Sequence, residues 1–143
     1  METKLTLEGT LEHDGDGICR FHLSLRNDDF SASTSVWGYE DNHLDFAEAL
    51  SGFPQDSCSK IIYRFGSPGT GTCDLDFFCL DGLGHIGIWA TFESTYPKGD
   101  LSRHEQASLF MRCEPSAIDS FVAEIRRFVA GSKNRALLSG HEP

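Results

Sequence analysis

Residues 73–92 read CDLDFFCLDGLGHIGIWATF, and the fold turns on how this stretch alternates. Successive side chains of a strand point to opposite faces. Cys73, Leu75, Phe77 and Cys79 therefore share one side, and Asp74, Asp76, Phe78 and Leu80 the other. Asp81-Gly82-Leu83-Gly84 then supplies glycine for the positive φ of a tight connection. On the return, Ile86, Ile88, Ala90 and Phe92 oppose His85, Gly87, Trp89 and Thr91. Two alternating strands joined by so short a turn are antiparallel neighbours.

The same period extends outward in both directions. Upstream, Ile61, Tyr63 and Phe65 form one face of a strand closed by Gly66-Ser67-Pro68-Gly69. The first third predicts a three-stranded meander. Leu5, Leu7 and Leu11 mark the first strand, Cys19, Phe21, Leu23 and Leu25 the second, and Phe30, Ala32, Thr34 and Val36 the third. His13-Asp14-Gly15-Asp16-Gly17 and Asn27-Asp28-Asp29 provide the turns. Downstream, a polar loop with Pro97, Lys98 and Gly99 leads to a strand with Ala107, Leu109, Met111 and Cys113 inward.

Two segments switch to the helical period. Leu44, Ala47 and Leu50, widened by Phe46, Ala49 and Phe53, predict a short helix. Asn42 is placed to cap it, with Asp45 three residues on, and Gly52 and Pro54 end it. Ile118, Phe121, Val122, Ile125, Phe128 and Val129 predict a second helix over residues 115–130. Pro115 and a Ser116–Asp119 capping box open it, Gly131 closes it, and Arg126 and Arg127 suit the negative end of its dipole. Residues 132–143 hold no sustained period and read as a flexible tail, leaving one domain over residues 1–131. No repeat is visible in the sequence. The expected fold is α+β: a mostly antiparallel sheet of six to seven strands with two helices packed on one face, in the order β-β-β-α-β-β-β-β-α.

At 143 residues the chain suits one domain able to bury a sizeable core without disulfides or metal. Its charge is segregated. Residues 1–56 hold 12 acidic and 3 basic side chains, and residues 57–143 hold 10 and 9. Asp28, Asp29, Glu40, Asp41, Asp45, Glu48 and Asp56 fall in a stretch without Lys or Arg. Such a surface repels nucleic acid and attracts a basic partner, and these seven are the candidate partner-binding residues. The N-terminus has no apolar run of signal-peptide length, and no stretch approaches the roughly 18 apolar residues of a membrane span. Five scattered cysteines, Cys19, Cys58, Cys73, Cys79 and Cys113, are an odd number; reduced core thiols and a cytoplasmic location are expected.

Motifs that carry chemistry are weak. Glu12, Asp14, Asp16 and Gly17 imitate the start of a calcium loop, but Leu23 stands where the closing Glu belongs, so a hairpin turn is expected. Asp74 and Asp76 could pair as acid and base, and His85 beside Asp81 could be an oriented general base; with Trp89 these outline a possible pocket. Solvated alternation and a surface hairpin explain the same residues, and Trp37 and Trp89 read as core aromatics. Metalloprotease, paired CxxC, GxSxG, dinucleotide and P-loop spacings do not occur. No cofactor, metal or catalytic residue is expected.

Trp37, then Leu44-x-Phe46-x-x-x-Leu50, then Asp81-Gly82-x-Gly84-His85-Ile86-Gly87-Ile88, resemble small bacterial proteins of an uncharacterised family, some similar to immunity proteins of polymorphic toxin systems. The helix after Pro115 fits too. The resemblance covers about two thirds of the chain and implies a cytoplasmic protein that holds another protein. The leading expectation is thus a non-enzymatic domain, monomer or homodimer, inhibiting a basic toxin or effector away from membranes. Its rivals are a small-ligand-binding protein or enzyme with a cleft between sheet and helices, and a secretion chaperone, which the opening strands disfavour.

Overall fold

The computed structural model describes residues 2–11, 17–39, 41–67, 71–98, 101–128 and 133–141. Glu40, the acidic turn from Glu12 to Asp16, Pro68, Gly69, Gly99, Val129 and Gly131 lie outside the described residues. The described residues form eight strands and two helices in the order β1 (Glu2–Leu11), β2 (Ile18–Arg26), β3 (Ser31–Tyr39), α1 (Asn42–Leu50), β4 (Lys60–Ser67), β5 (Gly71–Cys79), β6 (Ile86–Lys98), β7 (Leu101–Cys113), α2 (Pro115–Arg126) and β8 (Lys133–His141).

The class is α+β, but the single sheet of six to seven strands is corrected to two four-stranded antiparallel sheets. Their orders are β3-β2-β1-β8 and β4-β5-β6-β7. The expected tail is also corrected. Strand β8 pairs with β1 from Thr10↔Lys133 to Glu2↔His141 and seals the edge of the first sheet. Its inward residues are Ala136, Leu138 and Gly140, so only one is large and the period-2 signal was faint.

The topology repeats where the sequence does not. The order βββαβ occurs as β1-β2-β3-α1-β4 and again as β5-β6-β7-α2-β8. Each sheet takes three strands from one half and its fourth from the other. The buried helix positions match at a shift of 75: His43, Phe46, Ala47 and Leu50 correspond to Ile118, Phe121, Val122 and Ile125. The match continues past each helix, where Phe53 N–H donates to Leu50 O and Phe128 N–H to Ile125 O. Phe53 packs on Phe77 of β5, while Phe128 packs over Gly9 of β1, 2.9 Å from where a Cβ would stand.

The helices pack on each other, α1 along β4 and α2 along β8, rather than on one face of one sheet. Between sheets and helices the core is filled by Phe21, Phe46, Phe65, Phe77 and Phe121, all fully buried. Two details of α1 differ from expectation. Leu44 faces solvent and His43 takes the inward position, since 43, 46, 47 and 50 complete the i, i+3, i+4, i+7 stripe. Neither helix is capped by a side chain; Asn42 Oδ1 instead accepts the Tyr39 N–H at 2.7 Å.

Candidate partner-binding surface

Strand β3 delivers its last side chains in alternation, with Val36 inward and Trp37 and Tyr39 outward. Trp37, expected in the core, is 55% exposed; Tyr39 is 66% and Leu44 48% exposed. Asn42 ties this corner together, since its backbone oxygen also accepts the Tyr63 hydroxyl from β4 at 2.9 Å. Behind the two aromatics lies a depression of about 390 Å³ lined by Ile18, Trp37, Tyr39, Asn42, Arg64 and Ser67, among others. The Arg20 guanidinium sits 5.9 Å over the Trp37 ring, so this ring already holds one cation. Arg64 is committed elsewhere, to both oxygens of Asp74 at 2.7 and 2.8 Å.

Helix α1 carries the charge. Asp41, Asp45 and Glu48 are spaced four and three residues apart, which puts them on one exposed stripe. Glu48 lies 3.7 Å from Arg126 of α2, an exposed pair of little energetic weight. The field of this stripe reaches inward. Burial raises the Tyr63 phenol above its ordinary value, and the charges of Asp45 and Asp41 add to the shift. His43, 2% exposed with its Nδ1 unpartnered, is held below its ordinary value by burial, against the opposing pull of Asp41 and Asp45.

The other acidic candidates do not join this surface. Asp28 and Asp29 occupy the β2–β3 turn, at the far end of a nine-residue strand and thus about 30 Å from α1. Asp56 shapes the loop after α1, where its Oδ1 accepts the Cys58 N–H at 2.8 Å and its backbone oxygen accepts the Cys79 thiol at 3.4 Å.

The possible pocket residues divide as well, and none lies between sheet and helices. Asp74, Asp76 and Trp89 are on the outer face of the second sheet, with Asp76 directly across from Trp89. Trp89 is exposed rather than core. His85 stands at the hairpin end, Nδ1 2.6 Å from Asp81 Oδ2 and Nε2 3.5 Å from Glu114 Oε1. His85 and the Leu83 N–H hold the Asp81 carboxyl below its usual range. The cluster clips the β5–β6 hairpin to the residue preceding α2. None of the five cysteines forms a disulfide; Cys19, Cys73 and Cys113 are buried, whereas Cys58 is exposed and Cys79 half-buried. Burial pushes the Cys113 thiol up to about 12 and raises Cys73 further, which disfavours the thiolate.

Among the described residues no His, Cys, Asp and Glu cluster could hold a metal ion, and no helix is long and apolar enough to cross a membrane. The chain matches no protein-family model, no curated protein and no solved structure. The exposed pair Trp37 and Tyr39 is what sequence reasoning missed. Alternation with inward Val36 was the available signal, and it lost to the habit of placing tryptophan in a core.

Proposed function

We propose that this chain is a non-enzymatic protein-binding domain that holds a basic protein partner, in the manner of an immunity-type inhibitor of a toxin or effector. One observation carries the reading: the acidic stripe Asp41, Asp45 and Glu48 adjoins the exposed Trp37, Tyr39 and Leu44. Aromatic anchors beside like-signed charge are the composition of an interface. The rings supply buried area, and the charges raise the association rate and reject wrong partners.

The second half of the molecule serves as an internal control. At the positions matching Trp37, Tyr39 and Leu44 it carries Arg112, Glu114 and Asp119. The scaffold therefore does not require apolar side chains there, and their presence on one half only favours a use. The chain's net charge of -10 has the sign such a partner needs.

The test begins with a basic toxin domain encoded beside this gene, co-produced with the chain and assayed for neutralisation. Reversing Asp41, Asp45 and Glu48 to Lys leaves the fold intact, slows association and flattens its salt dependence. An association rate unchanged at low salt would sink the proposal.

A further inference from the structure

The outer faces of the two sheets differ in a way the scaffold does not dictate. Matched through their registers, the row Ile62–Asp76–Trp89–Phe110 of the second sheet corresponds to Arg135–Glu8–His22–Ser35 of the first. The first sheet's row is polar and internally paired. Glu8 meets Arg135 at 3.8 Å, and the His22 ring nitrogen meets the Ser35 hydroxyl at 2.8 Å. The second sheet puts rings in that place, with Trp89 and Phe110 5.2 Å apart.

The rings also lean on a depression of about 320 Å³ between this face and the β2–β3 turn. Phe30, Trp89 and Phe110 line it, together with Arg112, Thr3 and Asp29. The turn presents Phe30 rigidly, because Asn27 Oδ1 accepts the backbone N–H groups of Asp29 and Phe30. Phe30 is the most exposed of the three rings.

Among the described residues, charge on the face leaves one cation over. Arg64 is engaged by Asp74 in two bonds, and Lys60 lies 3.8 Å from Asp76. Arg112 has no carboxylate partner among the described residues, and its Nε is buried without an acceptor. The Thr3 hydroxyl, on a residue 3% exposed, is likewise buried and unpartnered. Two orphan donors, one of them cationic, beside three aromatic rings ask for an acceptor attached to an apolar group.

We propose that this depression docks an acidic peptide segment, one carboxylate engaging Arg112 and a neighbouring aromatic or aliphatic side chain lying between Phe30 and Trp89. A peptide fits better than a small molecule because the apolar surface continues past the depression. The Phe78 ring lies across Gly87, 2.7 Å from where a Cβ would stand, and Leu80 and Ile62 are exposed beyond it. Asp29 on the rim carries the same sign as the ligand. The site therefore selects a single carboxylate that reaches Arg112 past the rings, not a polyanion. The face is distinct from the α1 surface and takes a partner of opposite charge, so either proposal can fail without the other.

The experiment titrates the full chain with a blocked hexapeptide carrying one Glu between two Phe among Ser residues, its counterpart with Gln for Glu, and 3-phenylpropionate, following backbone amide NMR shifts at Trp89, Phe110 and Arg112. The Glu peptide is expected to bind about tenfold tighter than the Gln peptide, the scale of one charge-assisted hydrogen bond. Arg112→Gln is expected to erase that difference, Arg112→Lys to keep part of it, and the exposed Trp89→Ser to weaken both peptides without unfolding the chain. Four results would each overturn the proposal: equal affinity for the two peptides, phenylpropionate binding as tightly as the peptide, no shift at millimolar peptide, or sedimentation showing the face covered by a second copy.

Discussion

Phe46 and Phe121 meet edge to face with ring centroids 6.0 Å apart, and they are counterparts of each other in the two halves of the molecule. Each lies on the buried stripe of its helix, and each is fully buried. Their contact joins the halves where α1 crosses α2. The ring of Phe46 reaches Phe65 of β4 and Phe77 of β5 as well, so this contact ties both helices to the second sheet.

Phe121→Ala is expected to cost about 3–5 kcal/mol through lost transfer energy and the cavity left behind. Phe46→Ala falls in the same range. The double variant is expected to lose less than the two single losses combined, because each first substitution already removes the shared ring contact. Denaturant unfolding of the three variants measures this. A Phe121→Ala midpoint equal to wild type would turn this stripe into a docking surface.

Strand β8 makes its own prediction. Leu138 is fully buried, and its counterpart in the second sheet, matched through the β1 and β5 registers, is Phe65. Leu138→Ala is expected to destabilise by about 2–5 kcal/mol. A chain ending at residue 132 leaves β1 an open edge and is expected to aggregate or fail to fold. A truncated protein with an unchanged melting curve would restore the reading of these residues as a loose tail.

Much of this was legible in the sequence because most strands carry large apolar side chains at alternate positions. The meander β1–β3, the β5–β6 hairpin, the inward side of β7 and both helices follow from that period and its interruptions. What escaped has physical reasons. Residues 133–141 place Ala136 and Gly140 inward, and small residues give no periodic signal. The two-sheet division depends on β4 joining β5 while β8 returns to β1, a long-range choice that no local pattern encodes. The structural repeat was hidden because the halves share positions rather than residues, as His43 against Ile118 illustrates. For the site, three of the acidic residues meet on α1, but charge counting could not show that β3 separates them from Asp28 and Asp29.

His43 predicts a pH dependence. Its folded-state value lies below the 6.5 of the unfolded chain, because burial disfavours the imidazolium more than Asp41 and Asp45 favour it. As pH falls through 6.5 the unfolded chain binds the proton first, so stability declines from there until the folded histidine titrates. Above that window His43 contributes no slope. His43→Leu, stacked on Phe128 and next to Phe21 as the imidazole is, is expected to flatten the loss between pH 8 and pH 5.5. Urea midpoints of wild type and variant at both pH values test it, and parallel declines would remove His43 as the cause.

The partner surface predicts a division of labour between its rings and its charges. Trp37 and Tyr39 are exposed, so Trp37→Ser and Tyr39→Ser are expected to leave folding stability within about 0.5 kcal/mol of wild type. In binding the same changes remove anchor area, and each is expected to weaken the complex with a basic partner by about 2 kcal/mol or more, mainly through faster dissociation. Charge reversal at Asp41, Asp45 and Glu48 is expected to act on the opposite rate, slowing association at low salt and losing its effect as salt rises. Surface plasmon resonance at two ionic strengths separates the rates. If the serine variants change only association, or the lysine variants only dissociation, the rings and carboxylates are not working as one interface and the assignment of this corner fails.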